Sequence, residues 1–188
     1  CSSDLVQAWY QGGISVVDFT DASRPFEIAY YDRGPTDGAK RGMGGHWSTY
    51  WYNGYIYGAE IARGIDVFKL VPNEFLTQNE IDAANQVHFN ELNVQNQPKI
   101  AWPSNFIVAR AYVDQLQRSG ALPSPRIEAV TAAMAGSEGS RPNRKTAARL
   151  KTLAEDLDKD AAAAKSPADG QRMRALAAIL KNSTKPRR

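Results

Sequence analysis

The two histidines, His46 and His88, are the side chains best suited to acid–base or metal chemistry near neutral pH. Neither has another histidine or a cysteine at metal-ligand spacing, and the single cysteine, Cys1, cannot anchor a zinc site. The sequence therefore predicts no metal site, and no motif points to a cofactor. We expect His46 to end a glycine-rich loop just before a strand.

Carboxylates could do chemistry in two places. A first group could line a calcium-binding edge: Asp18, Asp21, Asp32 and Asp37. No 12-residue loop with ligands at alternate positions is present, so turn formation is the preferred explanation of these aspartates. Glu60 and Asp66 could form a carboxylate pair for acid–base catalysis, but strands expose such residues routinely.

The familiar catalytic signatures are missing from the sequence. There is no serine nucleophile elbow, P-loop or dinucleotide fingerprint. The run Gly42–Gly45 is rich in glycine, but no Lys-Ser/Thr pair follows it and it does not open a helix. We therefore predict no catalytic residue in this chain, and the alternative that it ends an enzyme with catalytic residues elsewhere stays open.

Aromatic side chains are dense in the first half of the chain. Eight of them exceed what one small sheet face needs: Trp9, Tyr10, Trp47, Tyr50, Trp51, Tyr52, Tyr55 and Tyr57. Because side chains alternate along a strand, about half should point into a core. The others could bind protein or carbohydrate, since Trp and Tyr combine a large contact area with a polar end. The candidate binding residues are His46, Trp47, Tyr50, Tyr52 and Tyr55.

These aromatic residues lie in predicted β-meanders. Asn53-Gly54 between two apolar runs indicates a hairpin with a type I′ turn, which needs positive φ at both residues. Arg63-Gly64 marks a second turn. The pattern predicts strands at about 47–52, 55–61 and 65–70, and an earlier set at about 4–10, 14–19 and 26–31.

After Leu70 the apolar period changes from strand to helix. Thr77–Glu80 is a capping box that opens a helix to Val87, and 88–99 has the composition of a loop. Further helices are predicted after Ser104, ending at Gly120, and after Ser124. Beyond a 136–142 linker, two narrow apolar stripes indicate an αα-hairpin.

The charge is divided between the two halves of the chain. Residues 1–100 carry 7 Lys/Arg against 12 Asp/Glu, and residues 101–188 carry 16 against 8, so their net charges are −5 and +8. This asymmetry indicates two modules. The basic residues are spread among acidic ones along helices, so we expect no nucleic-acid partner. No apolar run approaches the ~20 residues of a membrane-spanning helix.

Several segments resemble the LVIVD repeat of bacterial exported proteins. A shift of 51 residues superposes two copies of a strand–glycine turn–strand pattern, setting Leu5 on Ile56 and Gly13 on Gly64. The segments that carry the resemblance are Gly13–Asp21 through Pro25, Gly45–Trp51, Asn53–Tyr57, Glu60–Phe68 and Leu76–Ala83. The resemblance covers roughly residues 1–118.

The resemblance implies a β-propeller in a secreted, periplasmic or cell-surface protein, and a parent chain with more repeats. The remaining blades would come from the same parent chain or from another chain. It implies no catalytic residues. Cys1-Ser2-Ser3 also resembles the start of a lipid-anchored bacterial protein, an alternative weakened by the predicted strand that begins by about residue 4.

The predicted fold is a mostly β N-terminal half, a partial β-propeller of about one and a half blades of antiparallel strands, followed by an all-α C-terminal extension. The predicted segments are 1–72 for the blades, 73–135 for a helical and loop extension, and 141–182 for a helical hairpin. The predicted function is a non-catalytic exported binding or scaffold protein. Its alternative is the C-terminal part of a hydrolase-like propeller enzyme.

Overall fold

The computed structural model describes residues 4–96, 99–137 and 142–185. The chain forms two compact units, which divide between Ile100 and Ala101. This boundary falls within the segment 73–135 that we expected to be one extension. The first unit holds the strands, and the second holds the long helices.

The first unit contains two three-stranded antiparallel sheets. The first sheet runs β1 (Asp4–Trp9), β2 (Gly13–Asp18) and β3 (Phe26–Tyr31). The second sheet runs β4 (His46–Tyr52), β5 (Tyr55–Glu60) and β6 (Gly64–Phe68). A short helix, α1 (Gln78–Ala84), and a single 3₁₀ turn, Val94–Asn96, follow them. The strands confirm the predicted meanders to within two residues at each end.

Local sequence signals explain where these elements turn and begin. Asn53 and Gly54 have φ of 48° and 90°, which confirms the predicted turn with positive φ at both positions. The Asn53 amide also bonds the Phe89 backbone at both ends, donating to its O at 3.0 Å and accepting from its N at 2.8 Å. The capping box of Thr77 and Glu80 is present at the start of α1.

The two sheets pack on each other through their inner faces. Four buried aliphatic side chains form the centre of this core: Ile14, Val16, Ile28 and Ile56. They come from β2, β3 and β5, so the core joins the sheets across the long loop between β3 and β4. Around them lie partly buried side chains that include Val6, Trp51 and Phe68. Strand alternation sends these residues inward and their neighbours outward.

The described residues of the second unit form a bundle of four helices. They are α2 (Phe106–Arg118), α3 (Ser124–Ala135), α4 (Arg144–Ala162) and α5 (Pro167–Ser183). The helix α5 packs against both α4 and α2, and α3 packs against α2 and α4. Leucines of three helices are fully buried at the centre: Leu116, Leu150, Leu157, Leu176 and Leu180. The φ of +66° at Gly120 confirms the predicted αL end of α2.

The predicted fold class is wrong. The described residues form two separate three-stranded sheets and five α-helices, they show no propeller closure, and they are not mostly β. A propeller blade needs four strands, and each sheet stops at three. The 32–45 segment, which follows β3, is rich in glycine, and glycine disfavours a further strand. Pro72 follows β6 and disfavours a further strand, and the next element of the chain is the helix α1.

Replacement of Gly54 by valine tests the hairpin turn. A β-branched residue at φ of +90° is strained, and a Cβ there would lie 2.5 Å from the Asn85 side-chain oxygen. We expect Gly54→Val to lower the free energy of unfolding by about 1 kcal/mol or more, measured by urea denaturation. Gly38→Val is the control, since open space surrounds that glycine. Equal midpoints for the two variants would contradict the turn.

Candidate functional site

The outer side of the second sheet carries an exposed surface of aromatic and aliphatic side chains. We call it the aromatic face and define it by Tyr50, Tyr55, Tyr57, Ile65 and Val67. Tyr57 is the centre of this face, because it pairs with Tyr50 on β4 and with Val67 on β6. Ile65 is 76% exposed and Val67 is 55% exposed. The register of three strands therefore collects apolar side chains that face solvent.

The structure brings together three of the five predicted binding residues. Tyr50 and Tyr55 belong to the aromatic face, and Tyr52 adjoins it with its ring centroid 6.4 Å from that of Tyr57. The Tyr52 hydroxyl donates to the Phe89 carbonyl at 2.9 Å, so this ring is held in place.

The other two predicted residues lie elsewhere. Trp47 is 52% exposed and sits where the register of β4 shifts, with its ring edge against Tyr10 at 5.0 Å. His46 is 1% exposed and lies on the inner side of the sheet. It is therefore not part of the aromatic face.

Sequence reasoning missed Ile65 and Val67 as surface residues. They sit two apart on β6, and strand alternation places both on the outer side opposite Ala59 and Tyr57. The signal that could have identified them is strand alternation. If Asp66 and Phe68 point to the inner side, Ile65 and Val67 must point outward. The inner side of this strand takes Asp66 and Phe68 instead.

The inner side of the same sheet holds a chain of polar side chains. The His46 Nε2 lies 3.1 Å from one oxygen of Asp66, and the other oxygen accepts a hydrogen bond from Arg33 at 2.5 Å. The hydrogen bond from Arg33 to the Tyr31 hydroxyl, with Asp66 close by, raises the pKa of the Arg33 guanidinium. Arg33 therefore stays charged and ties the start of the 32–45 loop to β6.

Gly58 makes room for this arrangement. A Cβ at Gly58 would lie 2.6 Å from the His46 ring and 2.8 Å from the end of the Ile14 side chain. His46 occupies the space above the glycine. The centroids of the His46 and Phe68 rings lie 5.9 Å apart. The His46 Nδ1 is buried, and no described residue offers it a hydrogen bond.

Two of the acid–base candidates are closed to a substrate, whereas His88 is exposed. His46 and Glu60 are 1% and 5% exposed. Glu60 accepts hydrogen bonds from the backbone N–H of Ala62 at 2.8 Å and from that of Arg63, so it holds the β5–β6 turn. The His46–Asp66 pair and Glu60 thus fix the backbone of the sheet edge.

The four turn aspartates each bond the backbone two residues ahead. The acceptors and their N–H donors are Asp18 with Thr20, Asp21 with Ser23, Asp32 with Gly34, and Asp37 with Ala39, at 2.6 to 3.0 Å. This confirms turn formation as their role. Hydrogen bonds from the Ser23 hydroxyl and from Arg24 lower the pKa of Asp21. Among the described residues, no group of three or more His, Cys, Asp and Glu could hold a metal ion.

Comparison of the chain with protein-family models, with curated proteins and with solved structures finds no match. Within the described ranges, no helix has both the length and the apolar character that crossing a bilayer requires. The site is therefore interpreted from its own geometry.

Replacement of Gly58 by alanine tests the packing beneath the site. The added methyl group has no room beside His46 and Ile14, so the two sheets must move apart or the ring must turn. We expect a loss of about 1–3 kcal/mol in the free energy of unfolding, measured by urea denaturation. Gly42→Ala is the matched control, because nothing lies within 4 Å of a Cβ at that position. An unchanged midpoint for Gly58→Ala would show that the sheets do not meet there.

Proposed function

We propose that this protein is a non-catalytic binding protein whose aromatic face docks another protein. The observation that carries the proposal is the exposure of Ile65 and Val67 beside three tyrosines on one sheet face. The exposed side-chain area of this face is on the order of 500 Å², near the largest patch that ordinary monomers show. Patches of that size are often binding sites.

The composition of the face favours a protein partner over a carbohydrate. A carbohydrate-binding site needs polar side chains beside its aromatic ring, because these side chains bond the hydroxyl groups of the sugar. Here the cross-strand neighbours of Tyr57 and Ala59 on β6 are aliphatic, Val67 and Ile65. An aromatic and aliphatic centre is typical of the core of a protein–protein interface, where Tyr is enriched and charge is depleted.

The burial of His46 and Glu60 supports the non-catalytic part of the proposal. His46, Glu60 and Asp66 hold a loop and a turn through the contacts described above. An enzyme with catalytic residues outside this chain stays the alternative.

The exported location stays a prediction that rests on the resemblance to LVIVD-repeat proteins. The alternative lipid anchor at Cys1 and part of the predicted 136–142 linker lie outside the described residues. Further strands from a parent chain or another chain also stay a prediction, and such strands are one class of partner for the aromatic face.

Site-specific photocross-linking tests the docking proposal. A benzophenone amino acid at Tyr57, in cells that express the chain, should give a discrete protein adduct. The Ile65→Ser/Val67→Ser double variant should reduce that adduct about tenfold or more, because burial of two aliphatic side chains is lost from the interface.

Two controls make the result specific. The same photoreactive residue at Thr152, an exposed position of α4, should give no such adduct. The double variant should keep its unfolding midpoint, since both substituted side chains are exposed. Adducts at Thr152 equal to those at Tyr57, or an adduct that is insensitive to the double substitution, would contradict the proposal.

A further inference from the structure

The loop between β3 and β4 has an exposed basic tip. All nine residues from 35 to 43 are exposed, and none of them belongs to a helix or strand. Lys40 and Arg41 lie in this tip between Gly38 and Gly42. No described residue bonds the side chain of either one. The tip is therefore an exposed loop that carries two adjacent positive charges.

The first end of the tip is clamped to the second sheet. Arg33 binds Asp66 on β6 at 2.5 Å. Arg63, in the β5–β6 turn, donates to the Pro35 carbonyl at 3.1 Å. Two arginines thus fix the chain immediately before the exposed stretch.

The second end is clamped to both sheets. The Gln11 backbone N–H donates to the Gly44 carbonyl at 2.8 Å, and that of Ile61 donates to the Gly45 carbonyl at 2.9 Å. Gly45 has φ of +79°, and a Cβ there would lie 2.4 Å from the Gln11 nitrogen. The Thr36 hydroxyl donates to the Met43 carbonyl at 3.1 Å and closes the base of the tip.

A protease must draw several residues of extended chain into its cleft, so it cuts where local opening costs little. Exposed loop tips of small and polar residues are the preferred sites of such cuts. A basic side chain also fits the anionic specificity pocket of a trypsin-like enzyme. The tip offers both features at one place.

We propose that Lys40-Arg41 is the preferred cleavage site of the first unit for an endoprotease of trypsin-like specificity, and that the first unit stays folded around the cut. Cleavage breaks the C–N bond between Arg41 and Gly42, or the bond before Arg41. Water supplies the hydroxyl group to the carbonyl carbon and a proton to the leaving nitrogen, giving a carboxylate and a new amino terminus. No other reactant is needed.

The core explains why the two pieces stay together. Ile14 and Ile28 lie before the cut, Ile56 lies after it, and all three belong to one buried cluster. The clamps on both sides of the tip also survive, since none of their bonds involves residues 38–42.

Three other basic positions of this unit are poorer substrates, Lys69 among them because the adjacent Leu70 packs against the buried cluster. Pro25 follows Arg24, and proline after the basic residue blocks trypsin-like cleavage. Arg63 is engaged by Glu60 and by the loop carbonyls. The structure therefore assigns the first cut within residues 4–96 to the tip.

Limited digestion of the full chain with trypsin, followed by intact-mass analysis, tests the proposal. Cleavage after Lys40 or Arg41 should be at least about tenfold faster than cleavage after Arg33, Arg63 or Lys69. The nicked protein should elute as one species in size-exclusion chromatography. Cuts beyond residue 100 do not affect this comparison.

Two variants complete the test. Lys40→Gln/Arg41→Gln should abolish the cut, whereas Lys145→Gln/Arg149→Gln, on exposed positions of α4, should leave its rate unchanged. Cleavage at Arg33, Arg63 or Lys69 as fast as in the tip would overturn the assignment. Separation of the fragment that ends at Arg41 under native conditions would overturn the claim that the unit stays folded.

Discussion

The first unit depends on the contact between the inner faces of its two sheets. A three-stranded sheet is stable only when it buries an apolar face, and here each sheet is the cover of the other. Ile14, Val16, Ile28 and Ile56 supply the apolar centre of that contact. Gly58 sets how closely the sheets approach, because its missing side chain leaves the space that His46 occupies. The residues that this contact buries determine which side chains of the unit stay exposed.

The contact between the sheets buries polar residues, while several tyrosines stay exposed to solvent. His46, Thr49 and Glu60 are buried, and the His46 Nδ1 and the Thr49 hydroxyl have no partner among the described residues. An unsatisfied buried polar group costs about 1–3 kcal/mol. The same inner face also anchors the loop and the β5–β6 turn, through Asp66 and Glu60. Ile65 and Val67, which are apolar, face solvent and form part of the aromatic face.

Much of the local structure was predictable because its causes are local. The Asn53-Gly54 turn, the capping box at Thr77 and the αL end at Gly120 are each encoded within four residues. The four turn aspartates follow the same rule. The predicted fold class was wrong because propeller closure depends on strands that pair over long distances in the sequence. A blade-like repeat of six strands does not specify a fourth strand in each sheet.

The site was only partly predictable for the same reason. Alternation along one strand places Tyr50 and Tyr52 on the outer side, as it does Tyr55 on the next. The pairing of Arg33 with Asp66 joins residues 33 apart in sequence, and that of His46 with Asp66 joins residues 20 apart. Neither pair has a spacing that a motif could detect. The burial of His46, which moves it from the binding set to the core, follows only from the approach of the first sheet.

Hydroxyl-radical footprinting of side chains in the intact protein tests the central claim most directly, because it reports which side of the second sheet water reaches. The account predicts that Tyr57, Ile65 and Val67 are modified rapidly while Ile56 and His46 on the opposite side are protected. Protection of Tyr57 and Ile65 equal to that of Ile56 would contradict an outward aromatic face. Rapid modification of His46 would contradict the packing of one sheet against the other.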